Sequence, residues 1–141
     1  MPSPEPLLLD THVWIWFAVG NRKQISRQSW AAIERACHAG TCWVSIISVW
    51  EIGMLAAKGR LNLKLSATEW AKQALQIPGV SLIPISCEVA IESSYLPGPF
   101  YGDPADRILA ATARELRALL VTADEKLLDY GRRKHLNTLI C

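Results

Sequence analysis

Histidine is scarce in this chain, at three of 141 residues, and no two histidines stand at a metal-ligand spacing. The four cysteines, Cys37, Cys42, Cys87 and Cys141, are scattered and form no C-x-x-C pair. That pattern argues against a thiolate zinc site and a disulfide framework, and points to reduced thiols in the cytoplasm. No run reaches the roughly 18 consecutive apolar residues that a membrane helix needs. The opening Met-Pro-Ser-Pro-Glu-Pro lacks the basic-then-apolar order of a signal peptide and reads as an extended tail over residues 1–6. Internal repeats and low-complexity linkers are missing too. Neither sign of charge is in marked excess: the net is +2, so composition alone does not announce a nucleic-acid partner.

What is present suits one globular domain over residues 7–141. Half of the residues are hydrophobic and a fifth are charged, and the length supports one sizeable core rather than two. Leu7-Leu8-Leu9 is apolar without alternation, as in a strand buried on both faces of a parallel sheet, and it stops abruptly at Asp10. His12 to Val19 reads as an apolar helix closing at Gly20-Asn21. Its Trp14, Trp16 and Phe17 point first to core packing and second to a protein contact. Ser26 opens a second helix to Gly40, Thr41 to Val44 is a second strand, and Ser45 to Lys58 a third helix. Ser66 caps a helix to about Gln76, and Pro78-Gly79 turns the chain.

Val80 to Ile85 is a third strand that Pro84 confines to an edge or shortens. A helix from Cys87 to Tyr95 follows. Asp103-Pro104 has the form of an N-cap with proline at the first helical position, opening a helix to Leu116. Leu119 to Val121, a short helix from Glu125 to Tyr130 and a strand from Thr138 to Ile140 complete the chain. Alternating strands and helices predict the α/β class: an α/β/α sandwich around a central parallel sheet of four to five strands.

Four acids share one topological address in such a sheet. Asp10 and Asp124 follow the carboxyl ends of two apolar strands, where open α/β sheets bind their ligands. Glu51 projects from the early part of the helix after the second strand, and Asp106 from the first turn of the helix before the fourth. Each acid also has a plainer role available. Asp10 can cap a helix; Ser48-Val49-Trp50-Glu51 and Thr122-Ala123-Asp124-Glu125 fit capping boxes; and a helix dipole alone favours Asp106. Taken jointly, four carboxylates in one crevice raise one another's pKa, a conflict that a divalent cation relieves. An oxygen-only ligand set with no histidine or thiolate cluster selects a hard ion, so Mg²⁺ or Mn²⁺ rather than Zn²⁺.

Together, Leu7-Leu8-Leu9-Asp10-Thr11-His12, Val44-Ser45-Ile46-Ile47-Ser48-Val49-Trp50-Glu51-Ile52, Gly102-Asp103-Pro104-Ala105-Asp106-Arg107-Ile108-Leu109-Ala110-Ala111 and Leu120-Val121-Thr122-Ala123-Asp124 resemble PIN-domain proteins, in particular the VapC-type ribonuclease toxins of toxin–antitoxin pairs. The resemblance spans nearly the whole chain. It implies metal-dependent hydrolysis of RNA phosphodiester bonds, with Asp10, Glu51, Asp106 and Asp124 at the acidic positions. Asp10 and Asp106 are then the principal metal ligands, and Glu51 and Asp124 complete the set or handle the attacking water. Thr122 matches a supporting polar position, and Asp103 is an extra acid assigned first to capping. Ala105 departs from the family by replacing a bulky aromatic, and Tyr101-Gly102 stands where related sequences carry histidine or arginine.

The resemblance further implies a homodimer and an antitoxin protein that blocks the acidic crevice. Trp14, Trp16, Trp50 and Trp70 are an aromatic surplus compatible with such contacts. Positive charge for RNA clusters at Lys58, Arg60 and Lys64 and in the run Arg132-Arg133-Lys134, each of which also reads as a solvated surface. Three other classes compete. One is an inactive PIN-like module that binds RNA or protein; a small phosphotransferase lacks its Asp-x-Asp, and a nucleotide-binding fold lacks a Gly-rich loop after the first strand.

Overall fold

The computed structural model describes residues 5–141, so residues 1–4 of the expected tail lie outside the described residues, and Glu5 and Pro6 are irregular. Twelve elements follow: β1 (Leu7–Leu9), α1 (Thr11–Ala18), α2 (Arg27–Ala39), β2 (Cys42–Ser45), α3 (Ile46–Ala57), α4 (Ala67–Ala74), β3 (Val80–Ile83), α5 (Cys87–Glu92), α6 (Pro104–Leu116), β4 (Leu119–Thr122), α7 (Glu125–Arg132) and β5 (Thr138–Ile140). All five strands pair in parallel, in the order β3-β2-β1-β4-β5. The expected sandwich is therefore present, with the fuller strand count. Val80–Ile83 ends just before Pro84 and lies at the sheet edge, because proline cannot donate to a ladder.

Alternation along β1 and β4 feeds two cores. Leu7, Leu9 and Val121 face one side, packing with Val13 and Trp14 of α1, Ile33 of α2, Ile52 of α3 and Ala71 of α4. Leu8 and Leu120 face the other, against Val89 of α5, Leu109 of α6, and Leu127 and Tyr130 of α7. Every residue of the triple leucine is thus buried, which is why the run lacks polar alternation. Trp14 is fully buried, and Trp70 meets its ring edge-on at 5.3 Å. Of the four tryptophans singled out, Trp50 is the one that projects into solvent, at 59% exposure.

Helix limits follow local capping. Ser26, Ser45, Ser66, Ser86, Asp103 and Asp124 accept hydrogen bonds from backbone N–H groups at the starts of α2 to α7. Two expected helices are shorter than their sequence pattern: α4 stops at Ala74 and α5 at Glu92, the latter passing into a turn at Ser93–Ser94. Among the described residues no helix is long and apolar enough to cross a membrane. The four cysteines are free.

The strand order sets the position of the functional crevice. The chain winds from β1 outward through β2 to β3, then returns to place β4 on the other flank of β1. Connections leaving β1 and β4 therefore diverge to opposite sides, which opens a cleft at their carboxyl ends.

Candidate active site

Asp10 stands where β1 gives way to α1. Its N–H continues the sheet by donating to the Val121 carbonyl at 3.0 Å. One carboxylate oxygen accepts from the Thr11 N–H at 2.6 Å, and the other from the Thr122 hydroxyl at 2.6 Å. The same Thr122 oxygen accepts from the Asp124 N–H at 3.0 Å. One buried hydroxyl at the end of β4 thereby orients both strand-end acids. Asp124 also caps α7, accepting from the N–H groups of Lys126 and Leu127. Capping and membership of the cleft coexist in one side chain.

Glu51 is held differently from its capping-box expectation. α3 starts directly from β2 with Ser45 as its cap, so Ser48 is a fully buried residue inside the helix. The Thr11 hydroxyl donates to Glu51 Oε1 at 2.6 Å and shares a 2.8 Å hydrogen bond with the Ser48 hydroxyl. Thr11, to which the sequence assigned no role, ties α1 to α3 and aims the carboxylate. Its signal was present as a polar residue inside the first turn of an otherwise apolar helix. Asp106 sits in the first turn of α6, its N–H bonded to the capping Asp103 carboxylate at 2.9 Å. Gly102 lets the preceding loop approach: a Cβ there would lie 2.5 Å from the Phe100 ring and 2.8 Å from Asp106 Cβ.

Asp10, Glu51, Asp103, Asp106 and Asp124 line a single cleft of about 400 Å³, together with His12, Trp16 and Ala123. The four acids predicted from sequence are brought together, with Asp103 beside them. Among the described residues, no lysine or arginine lines the cleft. Burial raises the Asp10 carboxyl, an effect partly offset by its hydrogen bonds from Thr122 and Thr11 and by nearby His12. Glu51 is raised by burial and by Asp10 and Asp103, against the lowering effect of the Thr11 hydroxyl. Asp106 is pushed up from 3.8 to about 7, first by burial, then by Asp103, Asp124, Asp10 and Glu51. This is a pocket of negative charge in which five carboxylates face one imidazole, that of His12.

Beside the acids runs an apolar groove of about 310 Å³ between α3 and α6, walled by Ile47, Trp50, Met54, Pro104, Ala105 and Ile108. Glu51 and Asp103 belong to both groove and cleft. Ala105 is buried in the groove wall, so the small side chain leaves space that an aromatic would fill.

The basic candidates lie elsewhere. Lys58, Arg60 and Lys64 are exposed and line neither cleft nor groove. Arg132 pairs with Glu125 at 3.2 Å. Arg133 pairs with Asp129 at 3.3 Å and donates to the Pro99 carbonyl at 2.8 Å.

The sequence pattern of the PIN domain matches residues 7–133. The chain belongs to the PIN-domain family. Ribonuclease VapC22 of Mycobacterium tuberculosis is 36% identical over 121 residues, which span 86% of this chain and 88% of that protein. Among solved structures, this PIN domain superposes on a VapBC2 complex of Rickettsia felis bound to a promoter DNA fragment, with a TM-score of 0.69 and 17% identity over 95% of this chain and 97% of that one. A toxin–antitoxin complex from Klebsiella pneumoniae gives a TM-score of 0.61 and 20% identity over 94% and 95%. At those identities the likeness establishes a shared fold.

Proposed function

We propose that this PIN domain is a divalent-metal-dependent endoribonuclease, acting as the toxin of a toxin–antitoxin pair. The observation that carries the reading is the convergence of Asp10, Glu51, Asp106 and Asp124 from four separate elements into one cleft with no lysine or arginine in its wall. The sequence likeness to a ribonuclease supports the choice of RNA.

The donor set suits Mg²⁺ or Mn²⁺, because every candidate ligand is a carboxylate oxygen and the raised Asp106 carboxyl lacks a counter-charge. Among the described residues, no three such side chains are drawn close enough to grip an ion unaided. Mg²⁺ needs few direct protein ligands, because it retains several waters. Asp10 and Asp106 would hold the ion, and Glu51 and Asp124 would complete the negative pocket. When bound, the cation lowers the pKa of a water and offsets charge building on the phosphodiester. Glu51, raised by burial and held by Thr11, takes the proton from the attacking water. Thr122 keeps Asp10 and Asp124 in register, and Asp103 supports Asp106 by capping its helix.

The partner reading follows from the same surface. An antitoxin segment offering an apolar side chain to the groove and a basic one to the acids would block both at once, since the two cavities share Glu51 and Asp103. Sedimentation of the purified chain tests the expected homodimer. An inactive binding module is disfavoured, because nothing in a passive scaffold calls for carboxylates that repel one another.

Purified protein incubated with mixed RNAs in Mg²⁺, in Mn²⁺ and in chelator tests the central claim. Cleavage is expected with either metal and none with chelator. Cleavage that survives chelation, or that persists at wild-type rate in Asp10→Asn, overturns the mechanism. Failure of both cleavage and divalent binding leaves the inactive module.

A further inference from the structure

A second cleft, of about 420 Å³, opens at the amino ends of β4 and β5 and is lined by Arg114, Arg117, Lys134, His135, Asn137 and Glu5. Three fixed cations face one carboxylate there. Arg114, Arg117 and Lys134 are exposed, and among the described residues none has an ion-pair partner. The Arg114 guanidinium is anchored by donating to the His135 carbonyl, which leaves its remaining N–H groups for the cleft. This differs from Arg132 and Arg133, whose charges are engaged by Glu125 and Asp129.

The backbone marks the same place. Among the described residues, the non-glycine positions with positive φ are Arg117, at 52°, and Lys134, at 66°. Arg117 closes α6 in the left-handed conformation, a position glycine fills most readily. Gly20, Gly40, Gly59, Gly79 and Gly98 take that region elsewhere in this chain. Helix ends set both conformations, Arg117 at the C-cap of α6 and Lys134 in the turn after α7, and glycine would serve the backbone there, so the cationic side chains are not what the turns call for.

We infer that this cleft anchors the phosphodiester backbone of the RNA at a distance from the scissile bond. The inference rests on the ribonuclease reading above. The catalytic cleft repels a polyanion, and no lysine or arginine lines it. Positive charge must therefore act from another surface. β4 runs from this cleft to the acids, which sets the two sites about 17 Å apart along the strand, at about 3.3 Å per residue. Because β4 is buried, the RNA passes over the surface between the two sites, a longer path of several nucleotides that leaves the anchored phosphates clear of the carboxylates.

The test is the double variant Arg117→Gly/Lys134→Gly, which removes two charges and relieves both strained residues, so its Tm is expected to equal or exceed that of the wild type. Binding of labelled bulk transfer RNA is measured in chelator across a salt series. Removing two phosphate contacts lowers the slope of log K against log salt by about 1.4, equivalent to about 25-fold weaker binding near 0.1 M salt. Unchanged affinity and slope overturn the inference. An equal loss in Lys23→Gln/Lys72→Gln, which lie outside the cleft, also overturns it, as does a loss confined to duplex DNA. If the wild type itself binds no RNA at any salt, the ribonuclease reading falls with it. If the wild type binds and the double variant matches it, only the cleft assignment falls.

Discussion

Replacing Asp106 with asparagine separates the electrostatic account of the acidic cleft from a purely structural one. The side chain is half-buried and faces four other carboxylates, which with burial hold it at about 7 instead of 3.8. The folded, metal-free protein therefore binds a proton that the unfolded chain releases between those two values. Stability from that proton is fully present below about 3.8 and is lost as pH rises through about 7. The displacement from 3.8 to about 7 corresponds to about 4 kcal/mol for a fully desolvated group, and solvent screening of this half-exposed one reduces it to about 1–2 kcal/mol.

Asparagine carries no charge, so Asp106→Asn is expected to exceed the wild type slightly near pH 5 and by more near pH 8 when chelator is present. For a chain of this size the gain near pH 8 is about 3–10 °C in Tm. Asp10 and Glu51, also raised, leave a residual pH dependence in the variant. Adding excess Mg²⁺ near pH 8 is expected to raise the wild-type Tm by linkage and to leave the variant nearly unmoved. Thermal melts followed by circular dichroism, at both pH values and with and without Mg²⁺, give all of these comparisons. The reasoning fails if the variant melts below the wild type near pH 8 in chelator, or if both proteins gain equally from Mg²⁺.

Three further substitutions probe how the acids are held. Thr11→Val strips partners from the buried Ser48 hydroxyl and from Glu51, and is expected to cost about 1–3 kcal/mol in denaturant melts. Because the lost bond lowers the Glu51 pKa, the acidic limb of the pH–rate profile should move to higher pH, and an unmoved limb refutes the assignment. Thr122→Val removes the donor to Asp10 and the acceptor for the Asp124 N–H, with an expected loss of about 10–100-fold in cleavage rate that Thr122→Ser restores. Gly102→Ala drives a methyl to 2.8 Å from Asp106 Cβ, and should lower kcat/KM more than its overpacking of about 1–3 kcal/mol lowers stability. Wild-type kcat/KM in that variant would show that the loop is free to yield.

Much of the fold was legible because its strongest signals are local. Three successive leucines could be buried only between two layers, and Asp103-Pro104 could scarcely do other than start a helix. Pro84 marked an edge strand by subtraction of a donor. The acids were legible as a group because parallel topology sends strand ends to one side, whatever each acid does singly. What could not be read was pairing across distance. Ser48 looked like a cap because Glu51 follows it at capping-box spacing, although the helix pattern starts at Ser45, where β2 passes directly into α3. The Thr11 contact joins residues 40 apart, and no periodicity reports it. Charge was legible as a run, Arg132-Arg133-Lys134, but not as a site. Two of those three cations are spent on neighbours, while Lys134 joins Arg114 and Arg117 from another helix end.

The small net charge of +2 conceals a strongly divided surface. Five carboxylates gather at the carboxyl ends of β1 and β4, and three cations at the amino ends of β4 and β5. The helix dipoles do not account for this separation: α6 begins beside the acids and ends beside the cations, so each group complements the helix end it meets, an effect of only about 0.3–1 kcal/mol per group. Relief of helix-end charge needs one residue at each end, not five and three. The surplus on the acid side makes the cleft costly until a cation enters, while the basic side gathers three cations without an ion-pair partner among the described residues. On the proposed reading, each surplus calls for a different ligand, a divalent ion at one end and a polyanion at the other. A polyanion fixed at the basic end cannot place its phosphodiester among the carboxylates until the metal has offset their charge. Metal binding is therefore expected to govern productive positioning of RNA as well as the chemistry on it.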